Sequence, residues 1–331
     1  MPNMNLSAFD MNLLKVLDAL LIEGSTTRAA TRVGLSQPAV SAALGRLRSA
    51  LDDPLFVRDG GALRPTPFAL SLRAPLRAYL NGLAQMLSGL EEFDPARYEG
   101  TFCISGSDYF SVMLLPRLMK HLGRHAPHLK ISFVDVVHPS NLADMGRLDV
   151  DLSLPCVAGL PDNLDGEPMF WSDWQIVARH DHPRLKHHAI DSGQPIPLEL
   201  YCDLEHIVFS ADGRHASYED KVLADLGRSR SVALAVGSFR DLYETVAGSD
   251  LIAIIPKSLA QTVAARFDLT MHPLPFQMEP ALLWTAWNRW HTDDPAHRWL
   301  REQVAAILTA LNDVDRPLPQ TSMPLVRTAA E

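Results

Sequence analysis

Residues 25–51 read STTRAATRVGLSQPAVSAALGRLRSAL, and this stretch decides the fold of the N-terminal part of the chain. It predicts two short helices joined by a tight turn. Ala29, Ala30 and Val33 form a small-residue spine that lets helices pack closely, and Gly34 gives the first helix a left-handed exit. Ser25 and Ser36 each precede a helical pattern and suit an N-cap. Pro38 falls in the first turn of the second helix, where its missing N–H costs nothing. Ala39, Val40, Ala43, Leu44 and Leu47 give that helix an apolar face and leave Ser36, Gln37, Ser41 and Arg48 outside. Such a pair is a helix-turn-helix reader of double-stranded DNA, with the second helix in the major groove. Gln37 sits at the helix start, where its amide can bond adenine bidentately, while Ser36, Ser41 and the first-turn N–H groups hold phosphates. Thr27, Arg28 and Pro38 complete the candidate surface.

The flanks extend the motif. Leu13, Leu14, Leu17, Leu20 and Leu21 recur at helical spacing and predict a supporting helix over Asp10 to Glu23. Downstream, PLFVRDGGALRPTP (54–67) reads as strand, Asp-Gly-Gly turn, strand, which is the wing of a winged helix-turn-helix. Arg58, Arg64 and Thr66 lie on that hairpin and its exit, placed for backbone or minor-groove contact. From Pro67 the pattern is helical again. Leu72, Leu76, Leu80, Leu83, Leu87 and Leu90 form a narrow stripe, the seam of a dimer of coiled-coil type, with Pro75 as a kink or break.

Charge is distributed in the same sense. The 331-residue chain carries a formal charge of −9, yet residues 25–80 hold eight arginines against Asp52, Asp53 and Asp59. That segment is +5 and the rest −14, a basic module on an acidic body. Cys103, Cys156 and Cys202 are far apart without a CxxC pair, so the reading is buried free thiols in a reducing cytosol. No signal-peptide pattern or membrane-length apolar run is present, and a cytoplasmic protein without membrane contact is expected. No nucleophile elbow, Walker loop or dinucleotide fingerprint appears, so neither an enzyme nor a bound cofactor is expected. His180, Asp181, His182, His187 and His188 read as a solvated loop and not a metal site. Trp284, Trp287 and Trp290 read as packing residues and not a base-stacking platform.

The body alternates strands and helices. Strands are predicted at Phe102–Ser105, Ile131–Val137, Asp149–Leu154, Gln175–Ala178, Ile207–Phe209, Ala233–Val236, Leu251–Ile255 and Leu282–Trp287, before a final helix Pro295–Leu311. Two α/β lobes with two crossovers fit that order. A helix opening at Ser107 after a strand puts Ser107 and Asp108 at the carboxyl edge of a sheet, where ligands bind in such folds. His206, Phe209 and Phe239 supply a polar tip and aromatic walls on the other side of the expected cleft.

Several motifs carry a family resemblance. Thr27-Arg28-Ala29-Ala30, Leu35-Ser36-Gln37-Pro38-Ala39-Val40-Ser41, and Pro54-Leu55-Phe56-Val57-Arg58 with Pro65-Thr66-Pro67 resemble the LysR-type transcriptional regulators. Gly106-Ser107-Asp108-Tyr109, Leu114-Leu115-Pro116, Val246 to Ala253 and Asp294 to Arg301 continue it to about residue 311. Ser41 to Leu44, Arg46-Leu47-Arg48 and Phe93-Asp94-Pro95 look most like the branch of nodulation regulators and regulators of aromatic catabolism. The resemblance implies a winged helix-turn-helix over 1–66, a linker and dimerisation helix over 67–95, and a two-lobed α/β domain of periplasmic-binding-protein type over 96–311. Lobe 1 would take about 96–170 and 284–311, lobe 2 about 171–283, with a mobile tail at 312–331. Implied partners are promoter DNA, a small effector between the lobes, and copies of the chain as homodimers assembling to homotetramers. RNA polymerase is a further implied contact. An aromatic or phenolic effector follows from the branch and from Phe209 and Phe239. The competing expectation is a cytoplasmic small-molecule sensor that acts through protein contacts without reading DNA.

Overall fold

A computed structural model describes residues 9–59, 62–87, 93–135, 142–145, 148–157 and 159–319. The chain forms two compact units, Met1–Asp94 with the short segments Asp144–Asp151 and Asn288–Arg298, and the remainder.

In the first unit, α1 (Asn12–Glu23) buries Leu13, Leu17 and Leu20 on one face. It ends at Gly24, whose φ of 57° provides the left-handed exit. α2 (Thr26–Val33) is capped by the Ser25 side chain and stops at Gly34, φ 69°. α3 (Gln37–Leu51) is capped by Ser36, which accepts from the Ala39 N–H at 3.3 Å. Its inner face is Val40, Ala43, Leu44 and Leu47, whereas Ala39, expected on that face, is exposed. The hairpin is β1 (Phe56–Asp59) antiparallel to β2 (Ala62–Pro65). Its Gly60-Gly61 turn lies outside the described residues. The Leu63 N–H donates to the Gly24 carbonyl at 3.1 Å and ties the wing to the end of α1.

The linker helix α4 (Pro67–Leu87) contains Pro75. Its leucine stripe does not form a free seam along its whole length: Leu76 is buried in the unit's own core, and Leu72 and Leu80 pack against that core. Helix amphipathicity is thus spent first on the module to which the helix is attached. Leu90 and the Leu87 side chain lie outside the described residues.

The second unit holds two sheets. One has the order β4-β3-β5-β12-β6, built from β3 (Gly100–Ser105), β4 (Leu129–Val134), β5 (Leu152–Ser153), β6 (Leu164–Ser172) and β12 (Ala281–Asn288). β3 runs parallel to β4 and β5, and β12 returns antiparallel to β5. The other has β7 (Trp174–Arg179) between β10 (Ala253–Pro256) and β11 (Leu269–His272), both antiparallel. A parallel pair, β8 (Glu205–Phe209) and β9 (Ser231–Val236), joins this sheet through hydrogen bonds of Ile252 with Glu205 and Ile207. The chain passes between sheets at Asp173 and again between β11 and β12, so two lobes with two crossovers result. Among the described residues no helix is long and apolar enough to cross a membrane.

Three elements depart from expectation. β6, whose sequence LDGEPMFWS contains Gly166 and Pro168, is a nine-residue strand. A Cβ at Gly166 would lie 2.4 Å from the Thr285 carbonyl oxygen, so the glycine records a close backbone approach and not a break. Asp149–Leu154 contributes only the two-residue β5, and Val136-Val137 lie outside the described residues. The expected mobile tail is anchored as far as Pro317, whose carbonyl accepts from Trp171 Nε1 at 3.2 Å. Asn312 and Asp313 accept from the Trp171 and Asp173 N–H groups at 2.9 and 2.7 Å, and Arg316 lies 4.4 Å over the Trp171 ring.

Candidate DNA-reading surface and ligand cavity

The first site is the outer face of α3 with the wing. Ser36, Gln37, Pro38 and Ser41 are all exposed there. Gln37 Nε2 donates to Ser41 Oγ at 2.9 Å and Thr26 Oγ1 at 3.3 Å, which holds the amide at the helix start. Thr27 and Arg28 are exposed on α2, but Arg28 also donates to the Glu23 carbonyl and pairs with the Glu23 carboxylate at 3.5 Å. Arg58 and Arg64 project from the two wing strands.

Two residues assigned to DNA from sequence have other work in the fold. Arg48 donates from Nε to the Pro54 carbonyl at 2.8 Å and from Nη2 to Phe56 at 3.0 Å, fixing the entry to the wing. Thr66 donates to Asp53 Oδ1 at 2.8 Å and accepts from the Ala69 N–H at 3.1 Å, so it caps α4. Asp53, unremarked in the sequence, also accepts from the Leu55 N–H at 2.6 Å and so binds both ends of the hairpin together. Residue type and spacing marked Arg48 as basic and outward, but orphan carbonyls beside a turn are invisible in sequence.

The second site is a cavity of about 630 Å³ between the lobes, within the range usual for small-molecule sites. It opens at the carboxyl ends of β3, β5 and β8. Phe209, closing β8, and Phe239, opening α10 (Phe239–Ala247), stack with centroids 4.3 Å apart and planes 3° from parallel. Trp174 and Leu283 add apolar wall, and Ser107 lies on the rim after β3. Ser153, Ser172, Asp135 and Cys156 line it as well, none of them singled out by sequence as a ligand contact. All four follow or end strands, a signal usable only once strand ends are known. Cys156 was expected to be buried; it is exposed and open to the cavity.

Asp108 and His206 do not line this cavity. Asp108, opening α5 (Asp108–Met113), reaches the other lobe and accepts from the Phe239 and Arg240 N–H groups at 2.9 and 2.7 Å. It is a tertiary cap for α10. Beside it, the Tyr109 hydroxyl meets Ser258 Oγ at 2.9 Å, the residue after Lys257 at the start of α11 (Lys257–Phe267). Burial pushes the Tyr109 hydroxyl up to about 12. These two links hold the lobes in the arrangement that shapes the cavity. Asp108→Ala is expected to cost about 1 kcal/mol, the usual worth of a cap, readable as a lowered urea midpoint with unchanged slope. An unchanged midpoint would show the link to be dispensable.

His206 is fully buried in lobe 2, its Nε2 against the Tyr201 carbonyl at 2.9 Å. Burial, and then the neighbouring Arg230 charge, push it down from 6.5 to about 4. The native state therefore keeps it neutral where the unfolded chain protonates it. Stability is complete above about pH 6.5 and falls as pH is lowered toward 4. His206→Gln is expected to flatten this limb in urea titrations across that range; an identical slope in the variant refutes the assignment.

His182, from the histidine-rich loop, is buried and caps α7 (Pro183–His187) while bonding the Asp250 carbonyl at 2.9 Å. Trp284 and Trp287 are buried, and Trp290 is exposed.

Comparison with known proteins identifies the two domains that carry these sites. Residues 11–70 match the model described as bacterial regulatory helix-turn-helix protein, lysR family, and residues 95–308 match the LysR substrate binding domain. The chain is 32% identical over 299 residues to the transcriptional activator NagR of Ralstonia sp, covering 90% of this chain and 97% of the relative. It is 31% identical to the activator NahR of Pseudomonas putida, covering 92% and 100%. It is 32% identical to nodulation protein D 1 of Bradyrhizobium japonicum, covering 90% and 91%. A solved probable transcriptional regulator from Pseudomonas aeruginosa aligns with TM-score 0.61 at 32% identity, covering 90% of this chain and 97% of that one. With its helix-turn-helix module and its two-lobed domain both matched, the chain belongs to the LysR family of DNA-binding transcriptional regulators.

Proposed function

We propose that this regulator activates transcription from promoter sites read by α3 and the wing, under control of an aromatic or phenolic effector held between the lobes. The parallel Phe209–Phe239 pair beside the Ser107 rim carries the effector reading, because it is a preformed slab for a flat ring. Two relatives are named activators, which supports the sign of regulation. Homodimers assembling to homotetramers suit a protein whose single module makes few phosphate contacts, since copies on one duplex add them. RNA polymerase would be the further partner at an activated promoter.

A bound effector biases the lobes only as far as it prefers one arrangement, and the Asp108 and Tyr109 links are the contacts it must strengthen or release. The test is a thermal-shift screen of the full chain against phenols and aromatic acids. A saturating stabiliser that fails with Phe209→Ala is expected. A panel without a stabiliser, or a stabiliser indifferent to Phe209→Ala and Ser107→Ala, removes the aromatic effector from the cavity.

A further inference from the structure

A second cavity, of about 340 Å³, shares none of its lining with the first and has Asp108 in its wall. One side is α5, through Ser111 and Val112; the other is α10 and α11 of the opposite lobe. The acids in this wall are already engaged. Asp108 accepts from two N–H groups of α10, and Glu244 lies 2.9 Å from Arg240.

Three donors in the same wall are not engaged. Arg266 is exposed, its guanidinium 5.4 Å over the Phe267 ring, and no described carboxylate pairs with it. Residues 136–141, which follow Asp135 outside the described residues, carry no acid that could do so. Tyr243 is only 5% exposed, yet its hydroxyl bonds no described group. A buried tyrosine hydroxyl usually finds a partner, so the acceptor for this one is expected to come from a ligand. Burial, and then the Asp108 charge, push that hydroxyl up, so it stays a neutral donor. Ser111 adds a hydroxyl that also has no described partner.

Charge and shape narrow what these donors can hold. A guanidinium takes a carboxylate through two parallel hydrogen bonds. The Tyr243 and Phe267 rings, centroids 4.8 Å apart, and Val112 supply an apolar bed beside it. One unpaired cation balances one negative charge, and a second charge on the ligand would face the Asp108 and Glu244 carboxylates. We propose that this cavity is a second small-molecule site, for an organic monocarboxylate held by Arg266, Tyr243 and Ser111 with its apolar body on Val112 and Phe267. The occupant touches both lobes beside the Asp108 link and so favours the arrangement in which that link is closed. The site is independent of what the larger cavity binds.

Calorimetric titration of the full chain near neutral pH tests it with cyclohexanecarboxylate, its uncharged counterpart cyclohexylmethanol, and inorganic phosphate. Cyclohexanecarboxylate is expected to bind about tenfold or more tightly than either of the others. Arg266→Gln and Tyr243→Phe are each expected to weaken it about tenfold, the worth of a hydrogen bond to a charged group. Phe209→Ala is expected to leave it unchanged. Tyr243→Phe keeps the buried ring and breaks no described hydrogen bond, so its loss reports the ligand contact and not folding. Binding indifferent to Arg266→Gln and Tyr243→Phe overturns the second site, and its loss in Phe209→Ala would place the carboxylate in the larger cavity instead. No binding of cyclohexanecarboxylate overturns the site as well. Phosphate or cyclohexylmethanol binding as tightly overturns the monocarboxylate class.

Discussion

Arg230→Met is expected to destabilise the second lobe by about 3 kcal/mol and to lower the melting temperature of that domain by roughly 6–12 °C. The Arg230 side chain is 1% exposed, on the strand-entry side of β9. Nε donates to Asp220 Oδ1 at 2.8 Å, Nη2 to Ser217 Oγ at 2.7 Å, and Nη1 to the Tyr201 hydroxyl at 3.3 Å. Glu219 lies 3.3 Å away, and Asp220 also accepts from the Ser217 N–H at the start of α9 (Tyr218–Asp225). One guanidinium therefore joins α9 to Tyr201 at the end of α8 (Leu198–Asp203). Burial opposes its charge, but the Asp220 hydrogen bonds and the charges of its neighbours hold its pKa above the ordinary value. Removing it leaves Glu219, 13% exposed, without its partner, while Asp220, 30% exposed, regains some water. That partial rehydration is why the lower end of the range for a broken buried pair applies. Calorimetry of the full chain measures it. A melting shift below about 2 °C would mean that the network relaxes without penalty.

This network also shows what a sequence withholds. The helix-turn-helix is legible because its determinants are local: Ser25, Gly34 and Ser36 cap or end helices within three residues of themselves, and the leucines of α1 repeat within one face. The alternation of strands and helices was legible for the same reason. What failed was non-local. His206 reads as a polar tip at a strand end, yet it is buried because Arg230, 24 residues later, and Tyr201 enclose it. Asp108 reads as a ligand contact at a sheet edge; it caps a helix 131 residues away. The β6 strand was hidden by Gly166 and Pro168, residues that local rules assign to turns, and its partner β12 lies more than a hundred residues on. Phe209 and Phe239, which the fold brings together at the cavity, each sit at a strand or helix end that sequence marks independently.

Gln37→Ala is expected to weaken operator binding by about 10–100-fold, corresponding to the loss of one bidentate base contact, and to relax preference at a single adenine position. The structure makes this a demanding test, because both Nε2 hydrogens already point at Ser41 and Thr26. Reading adenine requires the amide to give up or share one of these bonds, so part of the contact's worth is offset in the free protein. The Ser41 and Thr26 hydroxyls reduce that loss by rotating to other acceptors, phosphates among them. Arg58→Ala, on the wing, is expected to act differently. It should weaken operator and scrambled duplex alike and reduce the salt slope by about one, since a phosphate contact carries counterions but no sequence. Arg48→Ala, by contrast, releases the Pro54 and Phe56 carbonyls and should lower the stability of the module before it alters any base preference. Fluorescence anisotropy with operator and scrambled duplexes over a salt series separates the three. If Gln37→Ala weakens both duplexes equally, α3 is held against the phosphate backbone and sequence is read elsewhere, in the wing or through deformation of the DNA.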